Sequence, residues 1–570
     1  MRWLVLLLAL LIPAPVWTQQ RADDPLLRSP GIFQPVVGRH GMVSAGEILA
    51  AQAGLEVLRD GGNAVDAAVT TAFAMAVTLP QAGNVGGGGF MVIRTPEGKV
   101  VALDFRETAP AAATRDMFLD NRGKVDRDRA TVGARAVAVP GTVAGVLDAL
   151  DRYGTIKKER AIAPAVRLAE QGFPVSHWLA DSLSRTAGTF RRFPESSAIF
   201  LPGGKPPEPG DRLIQKDLGW TLRQIAERGR DGFYQGPVAE KLVLSMKRHG
   251  GLISAQDLVS YRAVWREPVR GTYRGYEVFS MPPPSSGGVH LIQMLNVLEG
   301  YPLAESGHNS ALTLHRLAEA MRSAYADRSM WLGDPEFFEV PQAWLTSKEY
   351  ARELRVSIPP SSARRSVDVR PGSPPVPESP DTTHFSVVDD RGWAVSLTYT
   401  LNFSYGSFLV AEGTGVLLNN EMDDFSAAPG QPNAYGLLGG EANSIQPGKR
   451  PLSSMTPTIV QKDGRLVAVL GSPGGSRIIT IALQTLINLL DFKQNAQTAV
   501  SVPRIHHQWY PDVLHYEQGL SPDTLALLRQ MGHALEEGPI LGQAAAILVR
   551  PDGVLEGGAD PRREGGAVGY

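Results

Sequence analysis

From Trp393 to Asn402 apolar and polar side chains alternate without a break. Trp393, Val395, Leu397, Tyr399 and Leu401 fall on one face of an extended strand, and Ala394, Ser396, Thr398, Thr400 and Asn402 on the other. Thr382 to Asp389 reads as the strand that pairs with it. Asp390-Arg391-Gly392 forms the turn, because Asp tolerates turn geometry and Gly supplies the positive φ that closes it. A buried sheet that keeps hydroxyls and an amide on one face needs partners for them. That face therefore carries a hydrogen-bond network or looks into a site.

The run before this hairpin, Ser357 to Asp381, is rich in Ser and Pro, and the pattern changes at Thr382. Two readings fit the change. One is an ordinary linker followed by a strand that begins Thr-Thr. The other is a nucleophile exposed by cutting the chain between Asp381 and Thr382, where the freed α-amino group, titrating at about 7.7–8.0, acts as general base for the hydroxyl of its own residue.

Elsewhere helical and strand patterns mix. Glu47 to Arg59 has helical spacing stopped by Gly61-Gly62, and Asn63 caps a second helix, Ala64 to Thr78, apolar on most faces and so buried between layers. Gly86 to Gly89 precedes a strand pair, Phe90 to Arg94 and Val100 to Phe105. No nucleotide-loop motif can be laid on those glycines, which leaves close backbone packing as their reason. Gly133 to Ser357 reads as helices, with a hairpin near Val269 to Met281 and a helix from His290 to Leu298. A short strand, Gly415 to Leu418, comes next, then a strand pair, Thr458 to Gln461 and Leu466 to Leu470, and a helix from Arg477 to Leu490.

The chain has 570 residues, 43% hydrophobic and 20% charged, with net charge −2, a globular composition with no basic excess for nucleic acid. Length alone allows two to four domains or one large layered unit. The absence of cysteine excludes disulfides and thiolate metal sites. Arg2 followed by the apolar run Trp3 to Ile12 is placed like a secretory signal over residues 1–18, and the run is too short for a stable membrane span; an uncleaved anchor is the alternative. The eleven histidines include no H-E-x-x-H, and neither G-x-S-x-G nor S-x-x-K occurs.

Several polar groups have two readings each. Arg106, at a strand end, is a solvated charge or a planar fork for a carboxylate. Asn419 to Phe425 is an acidic knot without the spacing of an EF-hand, so it is a solvated turn or a binder of ammonium. The Gly-, Pro- and Asn-rich run from Ala427 to Lys449, with Tyr435 in it, has the composition of a lid. Gly471 to Ser476 is a strand-to-helix turn or a cradle of N–H groups for an oxyanion.

Taken together, Gly61 to Ala68, Gly86 to Phe90, Asp104 to Pro110, Pro283 to Gly288, Leu332 to Pro335, Thr382-Thr383-His384, Asn419 to Phe425, Pro451 to Met455 and Pro473 to Ser476 resemble the γ-glutamyltranspeptidases of the N-terminal-nucleophile hydrolase superfamily. The resemblance implies an α+β fold, a four-layer αββα sandwich. Self-cleavage between Asp381 and Thr382 would give a large subunit (19–381) and a small one (382–570) that stay together as a heterodimer. It implies that Thr382 is both processing and catalytic nucleophile and that Thr400 bonds its hydroxyl. Arg106, Ser453 and Ser454 would hold the substrate α-carboxylate. Asn402, Glu421 and Asp424 would hold the α-amino group, Gly474 and Gly475 would donate to the oxyanion, and Tyr435 would belong to the lid. The expected substrates are γ-glutamyl compounds such as glutathione, with water or an amino acid or dipeptide as acceptor. No cofactor, metal, nucleic acid or membrane span is implied, and the expected location is periplasmic or secreted. A cephalosporin (glutaryl)-type acylase of the same superfamily is the alternative; a binding protein would lack Thr382.

Overall fold

The structure, a computed structural model, describes residues 33–370, 381–427, 441–538 and 541–570. Residues 1–18, Tyr435 and the end of the linker lie outside them. Two antiparallel sheets of seven strands form its centre. The first runs, in spatial order, Gly566–Gly569, Gly41–Ala45, Asp381–Asp389, Ala394–Asn402, Gly88–Arg94, Val100–Phe105 and Val264–Arg266. The second runs Val36–Gly38, Leu555–Ala559, Ala545–Val549, Arg465–Gly471, Thr458–Lys462, Tyr276–Ser280 and Val269–Tyr273. Each sheet takes strands from both sides of the bond between Asp381 and Thr382. A cut there leaves two chains woven through one hydrogen-bonded unit.

Helices Ile48–Arg59 and Ala64–Thr78 cover the outer face of the first sheet, and Gly287–Leu298 and Ile478–Leu490 that of the second, so the layers are αββα. The Asn63 cap is the one legible in the chain; Glu47, read there as the first helical residue, is itself the cap of Ile48–Arg59. Glu47 accepts from the N–H groups of Leu49 and Ala50, both at 2.9 Å. Asn63 and Asp66 form a reciprocal capping box, and the helix it starts is buried along its whole length.

The alternation of the central hairpin sorts its side chains between two environments. Phe385, Val387, Val395, Leu397 and Tyr399 join the core beneath the helices. His384, Ser386, Ser396, Thr398 and Thr400 point the other way, toward the second sheet, and all are buried. Ser396 ties the sheets together: its hydroxyl donates to the Leu470 carbonyl at 3.0 Å and accepts from the Thr458 N–H at 2.9 Å. The return strand starts at Ala394, one residue later than the alternation predicts, because Asp389 turns inward and accepts from the N–H groups of Arg391 and Trp393.

The glycines at 86–89 pack as their sequence suggests. A Cβ at Gly87 would stand 2.0 Å from the Thr400 carbonyl oxygen, and one at Gly89 2.5 Å from that of Thr398. Only a strand without side chains fits this close beside the return strand. Among the described residues no helix is long and apolar enough to cross a membrane.

Candidate active site

Thr382 and Thr400 face each other across the hairpin, with Oγ1 atoms 3.4 Å apart. Thr400 Oγ1 also accepts from the N–H of Asn402 at 2.8 Å. Its carbonyl oxygen accepts from Asn84 Nδ2 at 2.8 Å, so both ends of this residue are pinned. The register slips between Asp381 and Thr382: Asp381 pairs with Asn402, but Thr382 pairs with Thr400. This bulge lies at the bond expected to break, and bulges re-aim the chain where a strand must present a reactive group.

The strand Val100–Phe105 delivers Arg106 to the same end of the sheet, since Gly88 pairs with Thr400 and Gly89 with Phe105. Arg106 is buried. Its Nη1 is ion-paired with Glu421 and its Nη2 with Asp424. Nη2 also donates to the Leu452 carbonyl at 3.1 Å, and Nε to that of Pro451 at 3.3 Å. The groups that the resemblance assigns to the carboxylate and to the ammonium are here paired with one another. Arg106 and the two acids form one cluster, because isolated charges at this depth would be costly.

Ser453 Oγ accepts from the N–H of Met455 at 3.1 Å, and Ser454 Oγ accepts from Arg328 Nη2 at 3.3 Å. Asn402, with φ of 75°, donates from Nδ2 to the carbonyl of Asn420, next to Glu421, at 3.0 Å.

Two residues of this cluster were not singled out in the sequence. Glu107, buried beside Arg106 with an oxygen 3.7 Å from Nη1, is pushed up to about 7 by burial, against the pull of the arginine. Its place next to Arg106 was the only sequence signal. Arg328, which also donates from Nε to Ser286 Oγ at 2.9 Å, had none. Burial also raises Glu421 well above the carboxylate range and lifts Asp423 to about 7, with Asp424 adding to both.

His384 sits two residues along the strand from Thr382. Nδ1 lies 2.9 Å from Thr398 Oγ1 and Nε2 3.1 Å from Ser386 Oγ. Burial holds the ring near 3, so it is neutral at any working pH. Beyond Gly471, at the end of its strand, the chain turns at Gly474 (φ 137°) and Gly475 (φ 58°) into a short 3-10 turn, Gly475–Arg477, which leads into helix Ile478–Leu490. The helix therefore starts one residue later than its apolar pattern predicts.

The sequence profile described as gamma-glutamyltranspeptidase matches residues 50–570. This chain belongs to the γ-glutamyltranspeptidase family. The glutathione hydrolase proenzyme of Escherichia coli (strain K12) is 51% identical over 533 residues, covering 93% of this chain and 92% of its own. The acylase ACY 1 proenzyme of Pseudomonas sp. (strain SE83) is 42% identical and covers 94% of each chain. In structure, cephalosporin acylase from Bacillus halodurans superposes with a TM-score of 0.86 at 29% identity, covering 96% of this chain and 99% of its own. Family membership thus makes this chain an enzyme of hydrolase and transferase type, and the acylases are a related branch.

Proposed function

We propose that this member of the family cleaves γ-glutamyl amides such as glutathione through a γ-glutamyl ester on Thr382. The observation that carries the reading is the ion-paired cluster of Arg106 with Glu421 and Asp424 at the end of the sheet that holds Thr382. An α-amino acid head group brings one carboxylate and one ammonium. Inserted into this cluster, it exchanges the existing pairs for new ones, carboxylate on Arg106 and ammonium on Glu421 and Asp424, and leaves no charge alone. The hydroxyls of Ser453 and Ser454 and the amide of Asn402 complete the two ends. A glutaryl group has no ammonium and would strand both acids after taking Arg106, which weighs against the acylase reading.

In this scheme Thr382 Oγ1 first attacks the Asp381 carbonyl and the amide becomes an ester. Breaking the C–N bond in that step frees the α-amino group, and hydrolysis of the ester then releases the Asp381 carboxylate and restores the Thr382 hydroxyl. The amine then takes the hydroxyl proton as Oγ1 adds to the substrate γ-carbonyl, and Gly474 and Gly475 N–H groups hold the oxyanion. The same proton passes to the leaving amine, and water or an amino acid or dipeptide resolves the ester. The product of processing is a heterodimer of residues 19–381 and 382–570. Arg2 and the apolar run after it support export to the periplasm or beyond.

The test is to purify the protein, separate the chains on a denaturing gel, sequence the new N-terminus and compare γ-glutamyl-p-nitroanilide with glutaryl-p-nitroanilide. A new terminus at Thr382 and preference for the γ-glutamyl anilide are expected. Preference for the glutaryl compound would transfer the protein to the acylase reading.

A further inference from the structure

The turn at Gly474-Gly475 is held from behind by side chains that do not belong to it. Ser476 Oγ donates to Gln508 Oε1 at 2.9 Å, and the Ser476 carbonyl accepts from the Tyr325 hydroxyl. Gln508 Oε1 also accepts from His506 Nε2 at 2.9 Å, while Gln508 Nε2 donates to the Tyr510 carbonyl at 3.2 Å. His506 Nδ1 lies 2.9 Å from Thr480 Oγ1, and that hydroxyl is 2.9 Å from the Arg477 carbonyl. Gln484, one helical turn further on, makes a two-way bond with Ile505: its Nε2 donates to the Ile505 carbonyl at 2.9 Å and its Oε1 accepts from the Ile505 N–H at 2.9 Å.

These contacts close a loop. Helix Ile478–Leu490 fixes residues 505–506 through Thr480 and Gln484, Gln508 returns to Ser476, and Tyr325 reaches in from helix Ala311–Trp331. Every side chain in the loop is buried. With both neighbours of Gly475 at positive or helical φ and no Cβ at 474 or 475, the peptide planes of this turn have little intrinsic rigidity. The bonds to Ser476 and Arg477 supply it. Burial keeps His506 neutral, with the Arg477 charge adding to the effect; with its proton on Nε2 the ring donates to Gln508, and the single Thr480 hydroxyl proton, 2.9 Å from both, is given either to Nδ1 or to the Arg477 carbonyl.

We infer that Gln508, His506, Thr480 and Tyr325 are positioning residues that aim the Gly474 and Gly475 N–H groups at the oxyanion. This rests on the γ-glutamyl-transfer reading above and extends it beyond the groups that touch substrate. An N–H acts on the transition state only when it points at the charge as it develops, so loosening the brace lowers kcat more than it alters substrate binding.

The experiment uses fully processed enzyme, checked on a denaturing gel, and γ-glutamyl-p-nitroanilide. Tyr325→Phe and Thr480→Val each remove one hydroxyl at nearly constant volume; Thr480→Ser restores the hydroxyl. The expected result is a fall in kcat of about 10- to 100-fold in Tyr325→Phe and Thr480→Val, with KM within about twofold and near-wild-type kcat in Thr480→Ser. Unchanged kcat in both, or a Thr480→Ser as slow as Thr480→Val, overturns the positioning role. A rise in KM with kcat intact also overturns it, since that would mean the loop shapes the binding site and not the oxyanion turn. Wild-type enzyme inert toward the anilide would instead sink the underlying reading of the site. If a variant fails to process, the same comparison is made on co-expressed 19–381 and 382–570 chains, where self-cleavage is not needed.

Discussion

The imidazole of His384 occupies the space that a side chain on Gly471 would need: a Cβ built there would lie 2.5 Å from Cε1 of the ring. The ring is clamped between that glycine and the hydroxyls of Thr398 and Ser386. It is a packing element between the two sheets, neutral because burial holds it near 3. His384→Asn, in enzyme shown to be processed, is therefore expected to lower kcat/KM modestly and to keep the same pH profile. The rising limb of that profile follows an amine titrating at about 7.7–8.0 before the site shifts it, since the base works only when deprotonated. Loss of the limb together with activity in His384→Asn would give the base role to the histidine.

Thr382→Ala is expected to run as one uncut chain, because the Oγ1 that attacks the Asp381 carbonyl is gone. Thr400→Val removes the hydroxyl 3.4 Å from it and is expected to slow processing without abolishing it. Two fragments from Thr382→Ala with the same new terminus would mean that an outside protease makes the cut.

Arg106 separates charge from geometry. Lysine keeps the charge but cannot reach Glu421, Asp424 and the carbonyls of Pro451 and Leu452 together. Arg106→Lys should raise KM for the anilide by about tenfold, the loss of a charge-assisted bond. Arg106→Ala leaves the two buried acids without a counter-ion at a cost of about 3–5 kcal/mol, so low yields of folded, processed protein are expected. Wild-type kinetics in Arg106→Lys would remove the guanidinium from the binding site.

Asp423 is buried with its carboxyl raised to about 7 by burial and by Asp424. A raised carboxyl binds its proton more tightly folded than unfolded, so its contribution favours folding at low pH and is lost as pH climbs from about 4 to 7. Asp423→Asn should therefore raise the melting temperature of the uncut Thr382→Ala protein at pH 8 more than at pH 5. An equal change at both values would show that Asp423 does not carry the shift.

Asn402-Phe403-Ser404 has the form of a glycosylation site, yet Asn402 is buried and its amide is bonded to the Asn420 carbonyl. Mass spectrometry of active protein made in a eukaryotic host should find Asn402 unmodified. A glycan there would mean that the strand faces solvent.

Local chemistry was legible along the chain. The hairpin at 382–402, its polar face, the Asn63 cap, the glycine run that admits the return strand and the helix after Gly475 all follow from neighbours within a few positions, where side-chain period and backbone freedom act directly. The motifs in order also carried the family. The pairing of Arg106 with Glu421 and Asp424 was not legible, since it joins groups more than three hundred positions apart and depends on how strand and loop ends converge. The same holds for the hydroxyl of Ser454 being taken by Arg328, and for Gln508 and Tyr325 behind the oxyanion turn. A residue's type states which bonds it is able to make; burial among particular neighbours, which only the packed sheets and helices create, decides which ones it does make.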